Sequence, residues 1–131
     1  MSRMIFVNLA VNDVEESRTF FTRLGFEFNA EFSDEKALCM VVADNIFVML
    51  LQRDYFKTFL TGEVADTSRG TEVLNGLSAT SRAEVDELVG RAIEAGGKPW
   101  RDPVEEGPMY GWSFQDLDGH VWELMYMEQP A

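Results

Sequence analysis

Residues 4–16 read Met4-Ile-Phe-Val-Asn-Leu-Ala-Val-Asn-Asp-Val-Glu-Glu16, and residues 72–84 read Glu72-Val-Leu-Asn-Gly-Leu-Ser-Ala-Thr-Ser-Arg-Ala-Glu84. Each is a largely apolar strand that runs into a helix-capping signal. In the first, Asp13 caps and Glu16 closes the capping box; in the second, Ser81 caps and Glu84 closes it. Apolar residues then recur at helical spacing, as Val14, Phe21 and Leu24 in one copy and Val85, Leu88, Val89, Ala92 and Ile93 in the other. Gly25 ends the first helix and Gly96-Gly97 the second. Strand, cap, helix and glycine thus occur twice in the same order.

The copies also end alike. Residues 36–43 and 46–51 read as strands joined at Asp44-Asn45, and residues 110–116 and 121–127 as strands joined at Asp118-Gly119. Residues 26–32 supply one more strand, and the stretch from Lys98 to Pro108 a short strand with an acidic loop. Residues 53–60 read as a short helix. The pattern predicts an α+β fold of two βαβββ units, about 1–60 and 72–131, joined by a linker over 61–71. Together they are expected to form one curved mixed sheet of eight strands, with helices outside and a cleft inside.

Composition narrows the function. At 131 residues, 46% hydrophobic and 26% charged, the chain suits one globular domain. A formal charge of −12 argues against nucleic acid or an anionic membrane as partner. Neither a signal peptide nor a membrane-spanning run is read from the Met1-Ser2-Arg3-Met4 start onward. The lone Cys39 excludes an internal disulfide and fits a reducing cytoplasm. The single His120 excludes any metal site built from several histidines of one chain. No Walker or dinucleotide-binding glycine motif is present.

The stretches Asn8–Asp13, Phe20–Phe26, Ala95–Gly97 and Phe114-Gln-Asp-Leu-Asp-Gly-His-Val-Trp-Glu-Leu124 resemble the vicinal oxygen chelate superfamily. This superfamily includes glyoxalase I, bleomycin-resistance proteins and extradiol dioxygenases. The last stretch is similar to the family's Asp-Pro-Asp-Gly-x-x-x-Glu-Leu signature, with Leu117 where proline is usual. The resemblance implies a single glyoxalase-like domain over 1–131. It also implies a homodimer, and a divalent metal held from the first and last strands of each unit.

Counting from the caps and turns, the four equivalent positions are Asn8, Met49, Gly76 and Glu123. One amide, one thioether, one carboxylate and a glycine are a poor donor set for a hard ion. The expectation is therefore no tightly bound metal and no cofactor. Glu123 lies between Val121 and Met125 on one strand face, a carboxylate on an apolar stripe. It is read as the catalytic group, suited to moving a proton, or as a structural carboxylate paired with an arginine or a tyrosine hydroxyl, or as a relic of a lost metal site. Asn8 is the candidate ligand-orienting amide, or else a partner of neighbouring backbone. Phe6, Phe47, Met49, Met125 and Met127 are expected to line an apolar cleft beside them, or else simply to pack as core. The favoured expectation is a small-molecule-binding protein of the bleomycin-resistance kind. The alternative is a metal-dependent, glyoxalase-I-like lyase or isomerase that uses Glu123.

Overall fold

The computed structural model describes residues 3–128. Met1 and Ser2, part of the leader reading, and residues 129–131 lie outside the described residues. The chain divides into two compact units, one ending at Asp66 and one beginning at Thr67.

In unit 1, strand β1 (Ile5–Val11) leads to helix α1 (Val14–Arg23), then β2 (Glu27–Phe28), a 3-10 turn (Ala30–Phe32), β3 (Ala37–Ala43), β4 (Ile46–Gln52) and the short helix α2 (Arg53–Lys57). The sheet order is β1-β4-β3-β2. In unit 2, β5 (Leu74–Ser78) leads to α3 (Arg82–Glu94), β6 (Lys98–Pro99), β7 (Val104–Glu106), β8 (Met109–Gln115) and β9 (Val121–Met127). Its order is β5-β9-β8-β6, with β7 also paired to β8. The first and last strands of each unit are parallel neighbours, β1 with β4 and β5 with β9. The repeat is thus present as expected. The sheets, however, are two mixed ones of four and five strands rather than a count of eight, because β7 is a strand of its own.

The helix ends show why the local sequence folds this way. Asp13 accepts the Glu16 N–H at 3.0 Å, and Ser81 accepts the Glu84 N–H at 3.0 Å. Glu84 reaches back one residue further than a capping box requires, to the Thr80 N–H at 2.8 Å. At the other end, Gly25 (φ 101°) and Gly96 (φ 110°) take a left-handed conformation that side chains disfavour. This lets the Phe26 N–H reach the Phe21 carbonyl, and the Gly97 N–H reach the Ala92 carbonyl. The Phe21 and Phe26 rings meet edge to face at 6.1 Å, the apolar contact that accompanies such an ending.

Each sheet buries the face turned to its helix. In unit 1, Leu9, Val11, Leu38, Met40, Val48 and Leu50 are buried together with Val14, Phe20, Phe21 and Leu24 of the α1 segment. In unit 2, Val85, Val89 and Ala92 of α3 are buried with Tyr110, Phe114, Trp122 and Leu124. Each such aliphatic or aromatic side chain contributes about 1.5–3 kcal/mol by burial. One strand differs from expectation. The strand expected over 26–32 stops at Phe28, because the Asn29 side chain accepts the Glu31 N–H and turns the chain into the 3-10 segment. The hairpin turn falls at Asp44-Asn45 as expected, with no positive φ there and a register shift between Val41 and Ala43 beside it.

Candidate functional site

Alternation fixes which side chains of unit 2 look away from α3. Tyr110 pairs with Tyr126, Trp112 with Leu124 and Phe114 with Trp122, so these six share a face. The Tyr110 hydroxyl donates to Asp86 of α3, which makes that face the helix side. The opposite, open face carries Gly111, Ser113, Glu123 and Met125. Glu123 stands between Gly76 on one side and Ser113 on the other.

A cavity of about 270 Å3 opens over this row. Its lining includes Glu123, Ser113, Gly111, Met109 and Met125, with Val104 and Glu106 from β7 and Arg101 and Asp102 from the preceding loop. The lining is mixed rather than purely apolar, because β6 and β7 are separated by residues 100–103, which bring Arg101 and Asp102 to the cavity. Glu123 is half-buried rather than fully buried. Among the described residues its carboxylate has neither the arginine nor the tyrosine partner that a purely structural role would call for. Met125 is in the cavity with Glu123, and Met127 lies further along the strand, exposed.

In unit 1 the corresponding row is Asn8, Met49 and Cys39. Asn8 donates to the carbonyl of Phe6 on its own strand at 3.1 Å, rather than to a neighbouring strand. Phe6 and Phe47 are cross-strand partners, with rings stacked at 5.0 Å. Met49 is half-buried and Cys39 is buried. Burial pushes the Cys39 thiol up from its ordinary value, which keeps it unreactive. A second cavity, of about 440 Å3, is lined by Asn8 and Leu51 together with Phe56, Phe59 and Leu60 of the α2 segment. Asn8, Phe6, Phe47 and Met49 thus belong to the unit 1 face, and Glu123 and Met125 to the unit 2 cavity.

The same rows test a divalent metal. Unit 1 offers an amide and soft sulfur, unit 2 a single carboxylate and a hydroxyl, and a glycine fills the remaining place. Among the described residues no three His, Cys, Asp or Glu side chains come together as a metal cluster. These donors do not fit a tightly held hard ion.

Sequence reasoning did not single out Asp116. It is 5% exposed and shows why the Asp116–Leu124 stretch is written as it is. One carboxylate oxygen accepts the backbone N–H groups of Asp118 at 2.9 Å and His120 at 3.0 Å; the other accepts the indole N–H of Trp122 at 2.9 Å. Burial raises the Asp116 pKa, and these donors and His120 oppose the rise. Fixing Trp122 on the helix side leaves Glu123 pointing to the open face. His120 is half-buried, its backbone N–H engaged by Asp116. The signal available was the acidic residue two before the Asp118-Gly119 turn.

Residues 3–43 match a family model described as bleomycin resistance protein-like, N-terminal. The whole chain superposes on a hypothetical protein from S. aureus with a TM-score of 0.82, 29% identity, and 96% of this chain and 95% of that one covered. A glyoxalase/bleomycin resistance protein/dioxygenase family enzyme from Burkholderia phytofirmans PsJN gives 0.81 at 17% identity, covering 96% and 99%. A genomically encoded fosfomycin resistance protein from Listeria monocytogenes gives 0.67 at 17%, covering 96% and 93%. No curated protein matches the sequence. The likeness is thus one of sequence over residues 3–43, to a bleomycin resistance protein-like N-terminal model, and one of fold over nearly the whole chain.

Proposed function

We propose that the protein binds a small organic molecule in the cavity of unit 2, with Glu123 as the polar anchor. The observation that carries this reading is a half-buried carboxylate without an ion-pair partner among the described residues, set among Met109, Met125 and Val104 in a cavity of about 270 Å3. An apolar body would pack on the thioethers and Val104, and a donor or positive centre would meet Glu123. The family likeness supports this class of function. Neither row supplies the donor set that a metal-dependent, glyoxalase-like lyase would need.

The test is a thermal-shift screen of organic cations and aromatic compounds. Glu123→Gln should weaken a hit by about ten- to a hundredfold, the worth of a charge-assisted hydrogen bond. Hits that bind the variant as tightly as wild type would remove Glu123 from the site.

A homodimer and a cytoplasmic location belong to the same reading. β1 and β5 are edge strands of their sheets, and Met4, Ile5, Phe6, Val73 and Leu74 are exposed along them. Apolar edges of this kind are natural templates for a second copy of the chain. The unpaired, buried Cys39 suits a reducing compartment. No described helix is long and apolar enough to cross a membrane.

A further inference from the structure

The three residues of β7 look both ways through the sheet. Val104 pairs with Gly111 and Glu106 with Met109, and all four line the unit 2 cavity. Glu105, between them, pairs with Tyr110 and faces α3. There the Arg82 guanidinium meets the Glu105 carboxylate at 2.7 Å and lies over the Tyr110 ring at 4.1 Å from its centre. Tyr110 is itself fixed to α3 through its hydroxyl bond to Asp86.

The strand has little else to hold it. Its ladder with β8 is only three residues long. It is separated from β6 by residues 100–103, where Trp100 makes a long 3.4 Å bond to Ser113, and it is followed by the Gly107-Pro108 turn. A segment with so short a ladder opens locally at low cost.

We propose that β7 is a hinged strap walling one side of the unit 2 cavity and that Arg82, on the far face of the sheet, is the positioning residue that latches it. The ion pair holds Glu105 against α3, and the alternation of the strand then holds Val104 and Glu106 against the cavity. When the latch opens, both cavity walls leave together, because a strand of this length moves as one piece. Arg82 touches no ligand in this scheme. It acts through Glu105 on the closure of the site proposed above, but its test needs no ligand.

The probe is a thiol on the cavity floor. Ser113 is buried beside Glu123, and Ser113→Cys places a maleimide-reactive group in the cavity lining two residues from Gly111, the partner of Val104. The native Cys39, buried in unit 1, reports global loosening in the same molecule. Adding Arg82→Ala should speed labelling at position 113 by about two- to fivefold, the range of an exposed ion pair, and leave the Cys39 rate unchanged. Glu105→Gln, which removes the charge but keeps a hydrogen-bond acceptor for Arg82, should speed it less. Salt at about 1 M, where screening is nearly complete, should speed the Arg82-containing protein and not the Arg82→Ala variant. An unchanged rate at position 113 overturns the latch, and so does equal acceleration at 113 and Cys39. A working latch with ligand binding indifferent to Glu123→Gln would remove the proposed anchor and leave the strap standing.

Discussion

Gly76 stands opposite Glu123 in the parallel β5–β9 ladder, so the row that holds the carboxylate has no second donor on that side. A Cβ at Gly76 would lie 3.3 Å from the Met125 methyl, the movable end of a flexible side chain. Zn2+, Ni2+ and Mn2+ are accordingly expected to leave the melting temperature unchanged, in wild type and in Glu123→Gln alike. A bound metal at a hundredfold excess over its dissociation constant would add about 2.7 kcal/mol. That corresponds to a rise of several degrees for a chain of this size. A rise in wild type that Glu123→Gln abolishes would revive the metal-dependent reading.

Asp116 serves three donors with two oxygens, and asparagine has one acceptor to offer. Asp116→Asn leaves either the Trp122 indole or the two backbone N–H groups unsatisfied in a buried place. The expected loss is about 1–3 kcal/mol, read by urea unfolding near neutral pH. A loss below about 0.5 kcal/mol, the scale of an inconsequential surface change, would mean that the network is dispensable.

The pH dependence of that comparison has a definite sign. Burial raises the Asp116 pKa in the folded state, so the folded protein holds the proton more tightly than the unfolded chain. Its contribution is fully present below the unfolded aspartate value of about 3.9 and is lost as pH climbs through the raised folded value. Across that window the advantage of wild type over Asp116→Asn should shrink as pH rises. An advantage that grows with pH would contradict the desolvated site.

Tyr110→Phe keeps the ring under Arg82 and removes the hydroxyl that donates to Asp86. Stability should fall by about 0.5–1.5 kcal/mol, the usual net worth of one such bond. The Asp86 bond also raises the Tyr110 pKa, so this stabilisation is full below about 10 and disappears as pH passes through the folded value. Wild type and Tyr110→Phe should therefore converge in strong alkali and differ at neutrality.

Ile5→Lys combined with Leu74→Lys places charge on the two exposed edge strands. If a second copy pairs there, sedimentation equilibrium should move from dimer to monomer with little loss of fold by circular dichroism. A dimer that survives both changes is assembled elsewhere.

The caps and turns made much of this readable. Because Asp13 and Ser81 fix where each helix begins, counting back from them finds Asn8 and Gly76. Counting forward from the hairpins finds Met49 and Glu123, and the ladders pair these residues as the count implies. What could not be read was set by partners distant in sequence. Tyr110, Trp112 and Phe114 share a face by parity alone, but only α3 decides which face. β7 is three residues in a proline- and glycine-bearing stretch, too short to show a period. Asp116 looks like ordinary turn chemistry until Trp122 folds back onto it.

The parallel pairing of first and last strands also orders events during folding. The β3–β4 and β8–β9 hairpins join neighbours in sequence and form on the microsecond scale. β1 must find β4, with Ile5 opposite Ile46, across a chain of about 40 residues, and the entropy of closing that loop is met only by the completed ladder. β5 meets the same requirement against β9. The strands that carry Asn8 and Gly76 are therefore the late arrivals of their units and the first to fray, so native-state hydrogen exchange should reach their amides before those of the hairpins.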